Sequence, residues 1–265
     1  MCYNPTGMKP DGIKACLIYN PAAGPWNAKR ALKRIRSYLG RHGWSVEPQL
    51  TEKPGDAIAM SREAAQAGFD VVIVAGGDGT VNEAVNGLVG TQTALGVLPV
   101  GTGNMWARQL GIPTFILANP LRLQEAAAGL LEGTIRSVDV GHANGRHFLC
   151  WAGIGLDAQV TAELEPRPRH TKHLGVLPYI VASVLVAREF KGVRTRVYLD
   201  GSLVRGRTLL ILASNIQQYG GLLHVSQEAR MDDGLLDVFV FKGLGFPYAM
   251  NHMLKMLSRR CLQDP

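Results

Sequence analysis

Long apolar runs are missing from this chain of 265 residues. The longest, Val176 to Ala187, contains Pro178 and is too short to cross a bilayer. The stretch from Met1 to Gly12 has no apolar core of the kind a secretory signal needs. Cysteine is scarce. Cys2, Cys16, Cys150 and Cys261 stand far apart, so neither a thiolate metal site nor a disulfide framework is spelled out, and a reducing cytoplasm is the expected setting. The histidines show no ligand spacing, and no repeat or low-complexity segment stands out. Aromatic residues make up 7% and are not interleaved with basic clusters, so nucleic acid is not expected as a partner. No Gly-Lys-Ser/Thr occurs, which excludes a Walker loop.

What is present is a large apolar share, 46%, enough for one large domain or two smaller ones with ample core. Basic residues outnumber acidic ones, 28 to 21, for a net charge of +7. That balance fits an anionic ligand or an anionic membrane surface. The chain is organised around Val71-Val72-Ile73-Val74-Ala75-Gly76-Gly77-Asp78-Gly79-Thr80-Val81-Asn82-Glu83. The apolar run reads as a short buried strand. Glycines and an aspartate break it, and Thr80 to Glu83 has the spacing of a capping box, so a helix is expected to open at Thr80. A buried strand, a glycine turn and a helix N-terminus make a phosphate site, because the backbone can approach closely and the first N–H groups point at the ligand. Asp78 is the odd residue in that turn. Its carboxylate must bind Mg²⁺, receive a proton or orient the turn.

Taken in order, the first half alternates strands and helices. Strands are expected at Lys14 to Tyr19, Val46 to Leu50, Val71 to Ala75 and Ala94 to Leu98, with helices over Asn27 to Arg41, Asp56 to Ala67, Met105 to Leu110 and Pro120 to Leu131. The basic face of the first helix, from Lys29 to Arg41, reads as a solvated surface rather than a phosphate-binding one, with the second role left open. Alternation of this kind argues a Rossmann-like parallel sheet with helices on both faces, whose ligands sit beyond the carboxyl ends of the strands. The turns Asn20 to Gly24, Thr51, Gly76 to Asn82 and Gly101-Thr102-Gly103-Asn104 are then expected to converge on one edge. From Thr134 on the pattern changes to short strands, with the domain boundary expected near Ser137: Ile135 to Val140, His147 to Ala152, Val193 to Leu199, Thr208 to Ala213 and Leu235 to Phe241. Asn144-Gly145 and Asp200-Gly201 are hairpin signals between them. Helices are expected near Leu177 to Phe190 and Phe246 to Ser258. The fold class is therefore α/β followed by antiparallel β, residues 1–137 and then 138–265. Gly153-Ile154-Gly155-Leu156-Asp157-Ala158 lacks a surrounding βαβ unit and reads as a strand end with packing glycines.

Gly-Gly-Asp-Gly-Thr at 76–80, Pro99 to Asn104, Asn215 with Tyr219-Gly220-Gly221, and Asp232-Asp233-Gly234-Leu235-Leu236-Asp237 together resemble the diacylglycerol kinase catalytic family. More narrowly, they resemble bacterial lipid kinases of the diacylglycerol/sphingosine kinase-like group. The likeness runs over the chain from about Lys14, and the motifs in this order are specific. It implies an α/β nucleotide domain followed by a β-sandwich, with the active site in the cleft between, and ATP and Mg²⁺ as cofactors. ATP would be held by Asn20, Gly24, Thr51, the turn Gly76, Gly77, Asp78, Gly79, Thr80, Val81 and Asn82, and the turn Gly101, Thr102, Gly103 and Asn104. Mg²⁺ would be held by Asp233 with the carbonyls of Arg230 and Leu235, and the plainer alternative for Asp233 is a hairpin Asp-Gly. Asp78 is the acid expected to take metal or base duty. The acceptor implied is a lipid hydroxyl at the membrane surface, with peripheral association from the cytoplasm. Arg167, Arg169, His170, Lys172 and His173 are expected either to meet anionic headgroups or to form a solvated basic loop. Two departures stand out. Met105 replaces an aspartate frequent in the family. The family's last strands also carry an Asp-Gly-Glu or Asp-Gly-Asp turn whose acid is taken as general base, whereas this sequence stops at Gln263-Asp264-Pro265. The second domain is thus expected to be incomplete at its C-terminus, which keeps a nucleotide- or lipid-binding remnant open as a reading, beside an NAD kinase-like enzyme. Neither the lipid nor the oligomeric state is implied.

Overall fold

A computed structural model describes residues 12–24, 27–114, 121–164, 177–220, 223–226 and 228–257. The described residues pack as two compact units. One comprises those up to Val138 with His142–Leu149, the other Asp139–Gly141 with those from Cys150 onward.

In the first unit, strands β1 (Ile13–Tyr19), β2 (Trp44–Leu50), β3 (Val71–Gly76) and β4 (Ala94–Pro99) alternate with helices α1 (Lys29–Arg41), α2 (Asp56–Gln66), α3 (Asp78–Leu88), α4 (Met105–Gln109) and α5 (Arg122–Glu132). The sheet is parallel in the order β2-β1-β3-β4. β3 is buried along its whole length, as its unbroken Val71 to Ala75 run requires when both faces are covered. Leu32, Ile35 and Leu39 of α1 and Leu123, Ala126 and Ala127 of α5 pack on one face against Leu17, Ile73 and Leu98. α2 and α3 lie together on the other. Gly87 of α3 is required there, since a Cβ would stand 2.9 Å from the Arg62 backbone nitrogen. Cys16 is buried within β1, and burial, with Glu47 nearby, pushes its thiol up to about 11.

A hairpin, β5 (Gly141–Ala143) and β6 (Arg146–Phe148), follows. Its turn, Asn144-Gly145, has positive φ at both residues, 48° and 80°, the geometry that an Asn-Gly pair favours. The second unit holds β7 (Trp151–Gly155), α6 (Leu156–Leu164), α7 (Leu177–Glu189), β8 (Val193–Leu199), β9 (Ser202–Ser214), β10 (Gln218–Tyr219), β11 (Leu223–His224), β12 (Asp237–Lys242) and α8 (Phe246–Leu257). β9 is long enough to serve two pairings: its first half forms an antiparallel ribbon with β8, and its second half lies between β12 and β7. The ribbon turns at Asp200-Gly201, again with positive φ at both, 45° and 84°. No described helix is long and apolar enough to cross a membrane.

The α/β-then-antiparallel-β class is as expected, and four local expectations are corrected. α3 opens at Asp78, capped by Gly77 in an extended conformation, and no capping box forms, because the Thr80 hydroxyl accepts from Asn20 Nδ2 at 2.9 Å instead. Ile135 to Val140 is not a strand: Asp139 donates its N–H to the Met231 carbonyl (2.7 Å) and its carbonyl accepts from Asn215 Nδ2 (2.8 Å), leaving no ladder. His147 to Ala152 is broken between β6 and β7, where the chain passes from one unit to the other. The strand end at Gly155 is followed directly by α6, which the sequence reading omitted although Leu156, Val160 and Leu164 recur at i, i+4.

Candidate functional site

The carboxyl ends of β1, β2, β3 and β4 bring four turns together. Thr51 is buried and donates its N–H to the Tyr19 carbonyl at 3.0 Å, placing the β2 turn beside Asn20. The Asn20 amide bridges from Thr80 at the start of α3 to its own turn, where Oδ1 accepts from the Ala22 N–H at 2.9 Å. Gly24 lies against the Val100 carbonyl so closely that a Cβ would overlap it. The Gly101 N–H donates to the Gly76 carbonyl at 3.2 Å, and a Cβ on Gly101 would collide with the Gly77 Cα. The residues expected at separate strand ends are therefore neighbours.

Within this cluster, Asn104 is buried in the left-handed region (φ 51°) and folds back on Gly101. Its Oδ1 accepts from the Gly101 N–H at 3.0 Å, and its Nδ2 donates to the Gly101 carbonyl at 2.8 Å. Thr102 and Gly103 form the outer curve of that turn, both half-buried. Gly79, by contrast, faces open space: a Cβ there meets nothing within 4 Å. It lies in the first turn of α3, whose N–H groups have no partner within the helix. A small anion beside Gly79 would meet those donors and the positive end of the helix dipole.

Asp78 has a specific employment. Its Oδ1 accepts from the Trp106 N–H at 3.1 Å, and the backbone N–H groups of Met105 and Asn104 also turn toward the carboxylate. A Cβ on Gly103 would stand 3.0 Å from Oδ2. Asp78 thus joins the β3–α3 turn to the start of α4. Burial raises its pKa, and the converging N–H groups oppose that rise. Of the three roles open to this acid, orienting the turn is the one with contacts in this arrangement. Val81 is buried in α3 and serves the core. The side chain of Asn82 points to the hairpin: Nδ2 donates to the His147 carbonyl (3.1 Å) and Oδ1 accepts from the Leu149 N–H (3.2 Å). Asn86 repeats the pattern one turn on, exchanging two hydrogen bonds with His147 at 2.9 and 2.8 Å.

In the second unit, Arg230, Asp233 and Leu235 share one exposed turn. Asp233 Oδ1 accepts from the Leu235 N–H at 3.0 Å, and Asp139 Oδ2 accepts from the Gly234 N–H at 2.7 Å. Asp237 is nearby. Burial raises its pKa first, Ser226 Oγ opposes that rise, and the charges of Asp233 and Glu228 add to it. Arg230 is turned to Asp232 at 3.3 Å. A turn this rich in carboxylate and peptide oxygens has the donor chemistry of a hard divalent cation. Among the described residues no three His, Cys, Asp or Glu side chains gather into a metal cage, so a cation there would depend on backbone carbonyls. Arg167, Arg169, His170, Lys172, His173 and Gly221 lie outside the described residues.

One feature of the second unit escaped the sequence reading. A cavity of about 100 Å³ is lined mainly by apolar side chains, among them Val160, Val184, Leu209, Phe241 and Met250, with Asp157 and Tyr219 as its polar corner. The Tyr219 hydroxyl donates to Asp157 Oδ1, and burial raises the pKa of both groups. Gly153 is required beside them, because a Cβ would occupy the place of the Asp157 carboxylate. Gly155 carries φ 92°, and a Cβ would stand 2.6 Å from the Leu209 carbonyl oxygen. The glycines dismissed as packing residues are packing residues, and what they pack against is a buried carboxylate.

A parallel α/β unit with its turns gathered beyond the strand ends is followed by an antiparallel β unit with an apolar cavity, and together they define a two-unit α/β-then-β architecture. A model of the diacylglycerol kinase catalytic domain matches residues 14–143, and one of the YegS C-terminal NAD kinase beta sandwich-like domain matches residues 151–265. The chain is 32% identical over 231 residues to a diacylglycerol kinase of Bacillus subtilis (strain 168), covering 86% of this chain and 74% of that one. It is 30% identical over 248 residues to a diacylglycerol kinase of Staphylococcus carnosus (strain TM300), covering 93% and 78%. A crystal structure of a diacylglycerol kinase from Bacillus anthracis str. Sterne superposes with a TM-score of 0.69 at 30% identity, covering 92% of this chain and 78% of that one. The chain belongs to the diacylglycerol kinase family.

Proposed function

We propose that this protein transfers the γ-phosphate of ATP to the hydroxyl of a diacylglycerol-like lipid. The observation that carries the reading is the meeting of the Gly76-Gly77 and Gly101 turns around Asp78, with Gly79 left open at the start of α3. Such turns supply backbone N–H groups to a triphosphate, and phosphoryl transfer depends mainly on positioning and electrostatics. In the reaction the lipid hydroxyl oxygen bonds to the γ-phosphorus, the bond from that phosphorus to the β–γ bridging oxygen breaks, ADP leaves, and a carboxylate takes the hydroxyl proton. Asp78, the acid among these turns, is assigned as that carboxylate. Asn20 and Asn104 hold the turns in register, and Thr51 and Thr102 flank them. Asp233 and the carbonyls of Arg230 and Leu235 would hold Mg²⁺, a hard cation suited to such oxygen ligands. The apolar cavity beside Asp157 and Tyr219 supports a lipid acceptor, since acyl chains need such a surface and a headgroup hydroxyl needs a polar end.

The test is turnover of the whole chain with γ-labelled ATP and diacylglycerol dispersed in detergent micelles. Label is expected in the lipid product, and Asp78→Asn is expected to abolish it. An amide offers a single acceptor oxygen and no charge where several N–H groups converge. Label transferred to NAD but not to lipid, or full turnover by the Asp78→Asn protein, would overturn the assignment.

A further inference from the structure

The β8–β9 ribbon carries four arginines in register. Arg194 lies opposite Arg207 and Arg196 opposite Arg205 in the antiparallel ladder. Paired residues share a face, as do residues two apart on one strand, so the four make a square on one side of the ribbon. All four are exposed. The same face continues to Tyr198, 70% exposed, opposite half-buried Leu203. Among the described residues no acid forms an ion pair with any of the four; the nearest in sequence is Asp200 in the ribbon turn. Like charges directly opposite one another destabilise a ribbon. Folding therefore does not account for this arrangement, whereas binding to something anionic would.

We propose that the arginine face of the β8–β9 ribbon is the surface by which the protein rests on an anionic phospholipid bilayer. Arginines attract anionic headgroups, and an exposed tyrosine beside them suits the interface between headgroups and acyl chains. A flat square of charge at the base of an aromatic tip fits a lipid sheet better than a nucleic-acid groove, which would call for bases stacked between several aromatics. The inference deepens the lipid-kinase reading by naming the face presented to lipid. It is tested by binding without ATP, so that its failure and the failure of the kinase assignment are separate results.

The experiment is cosedimentation of the whole chain with vesicles of phosphatidylcholine, with and without phosphatidylglycerol, at low and high salt. Three proteins are compared: the native chain, R194Q/R196Q/R205Q/R207Q, and a control with the same loss of charge, K29Q/R30Q/K33Q/R34Q in α1. The native chain is expected to bind only the phosphatidylglycerol vesicles and to lose them at high salt. The ribbon variant is expected to bind roughly tenfold more weakly or worse, and the α1 variant to lose far less. The Tm of the ribbon variant is expected to match or exceed the native value, since opposed charges are removed. Equal losses in the two variants, undiminished binding by the ribbon variant, a lower Tm in it, or a native preference for duplex DNA over the vesicles would each overturn the proposal. Vesicle binding with no turnover on detergent-dispersed diacylglycerol would leave the proposal standing and remove the kinase assignment.

Discussion

Gly101→Ala tests the convergence of the turns with a single methyl group. A Cβ at Gly101 would fall within bonding range of nothing and inside the contact distance of three atoms: the Gly77 Cα, the Gly77 nitrogen at 3.1 Å and the Asn104 Oδ1 at 2.8 Å. Two of these are backbone. The third is the end of a buried amide already bonded to Gly101 on both of its atoms, so it has little freedom to retreat. To regain contact at 3.4 Å, the β4–α4 turn must move away from the β3–α3 turn by about 1 Å. Overpacking of this kind costs about 1–3 kcal/mol, and loss of an Asn104 hydrogen bond adds about 1 kcal/mol. A displacement approaching 1 Å where reactants are positioned costs roughly a hundredfold in rate. The expected result is therefore a Tm lower by several degrees and a fall of about a hundredfold in kcat/KM for ATP. The control is Gly40→Ala in α1, where a Cβ meets nothing within 4 Å and φ is not positive. There the same substitution is expected to stabilise by roughly 0.5–1 kcal/mol through helix propensity and loss of unfolded-state freedom. Differential scanning calorimetry of both proteins and nucleotide titration of the first decide the matter. If Gly101→Ala bound ATP as the native chain does, with unchanged Tm, the packing of the two turns would not be what holds the site.

Burial holds the Asp157 carboxyl above the usual carboxylate range. A group raised in this way binds its proton more tightly folded than unfolded. Its stabilising contribution is full below the unfolded value and is lost as pH rises through the folded one. Asp157→Asn keeps an acceptor for the Tyr219 hydroxyl. It is expected to raise stability at neutral pH by on the order of 1 kcal/mol and to flatten the decline in Tm above the unfolded value; parallel pH profiles in the two proteins would contradict this. Asn86→Ala removes both bonds to His147 and a third, to the Asn82 carbonyl at 2.8 Å. A loss of about 1–3 kcal/mol in urea denaturation and faster exchange of the His147 amide are expected, and unchanged exchange would show that the hairpin holds without the clamp.

The alternation of strands and helices, the glycine turns and both hairpin turns were legible in the sequence because each rests on local rules. Periodicity, Gly at strand ends and Asn-Gly or Asp-Gly pairs act within a few residues. The convergence of Gly24, Gly77 and Gly101 was inferable only as a consequence of parallel order, since a parallel sheet places all strand ends on one edge. The start of α3 at Asp78 was misread because a capping box is a local signal, and Asn20, distant in the chain, takes the Thr80 hydroxyl. The non-strand at Ile135 to Val140 was misread for the same reason: Asn215, Met231 and Gly234 claim the polar groups of Asp139 across a long separation.

Residue types and spacing alone specified the layered α/β unit and the acid in its glycine turn, and the resemblance of its motifs pointed to the family. Tertiary structure decided what Asp78 touches, that Asn82 serves the hairpin, that Gly153 makes room for a buried Asp157, and that four arginines stand in one square. The reason is physical. Hydrogen-bond competition and cross-strand register depend on groups far apart in the chain, and only folding brings those groups within reach of one another.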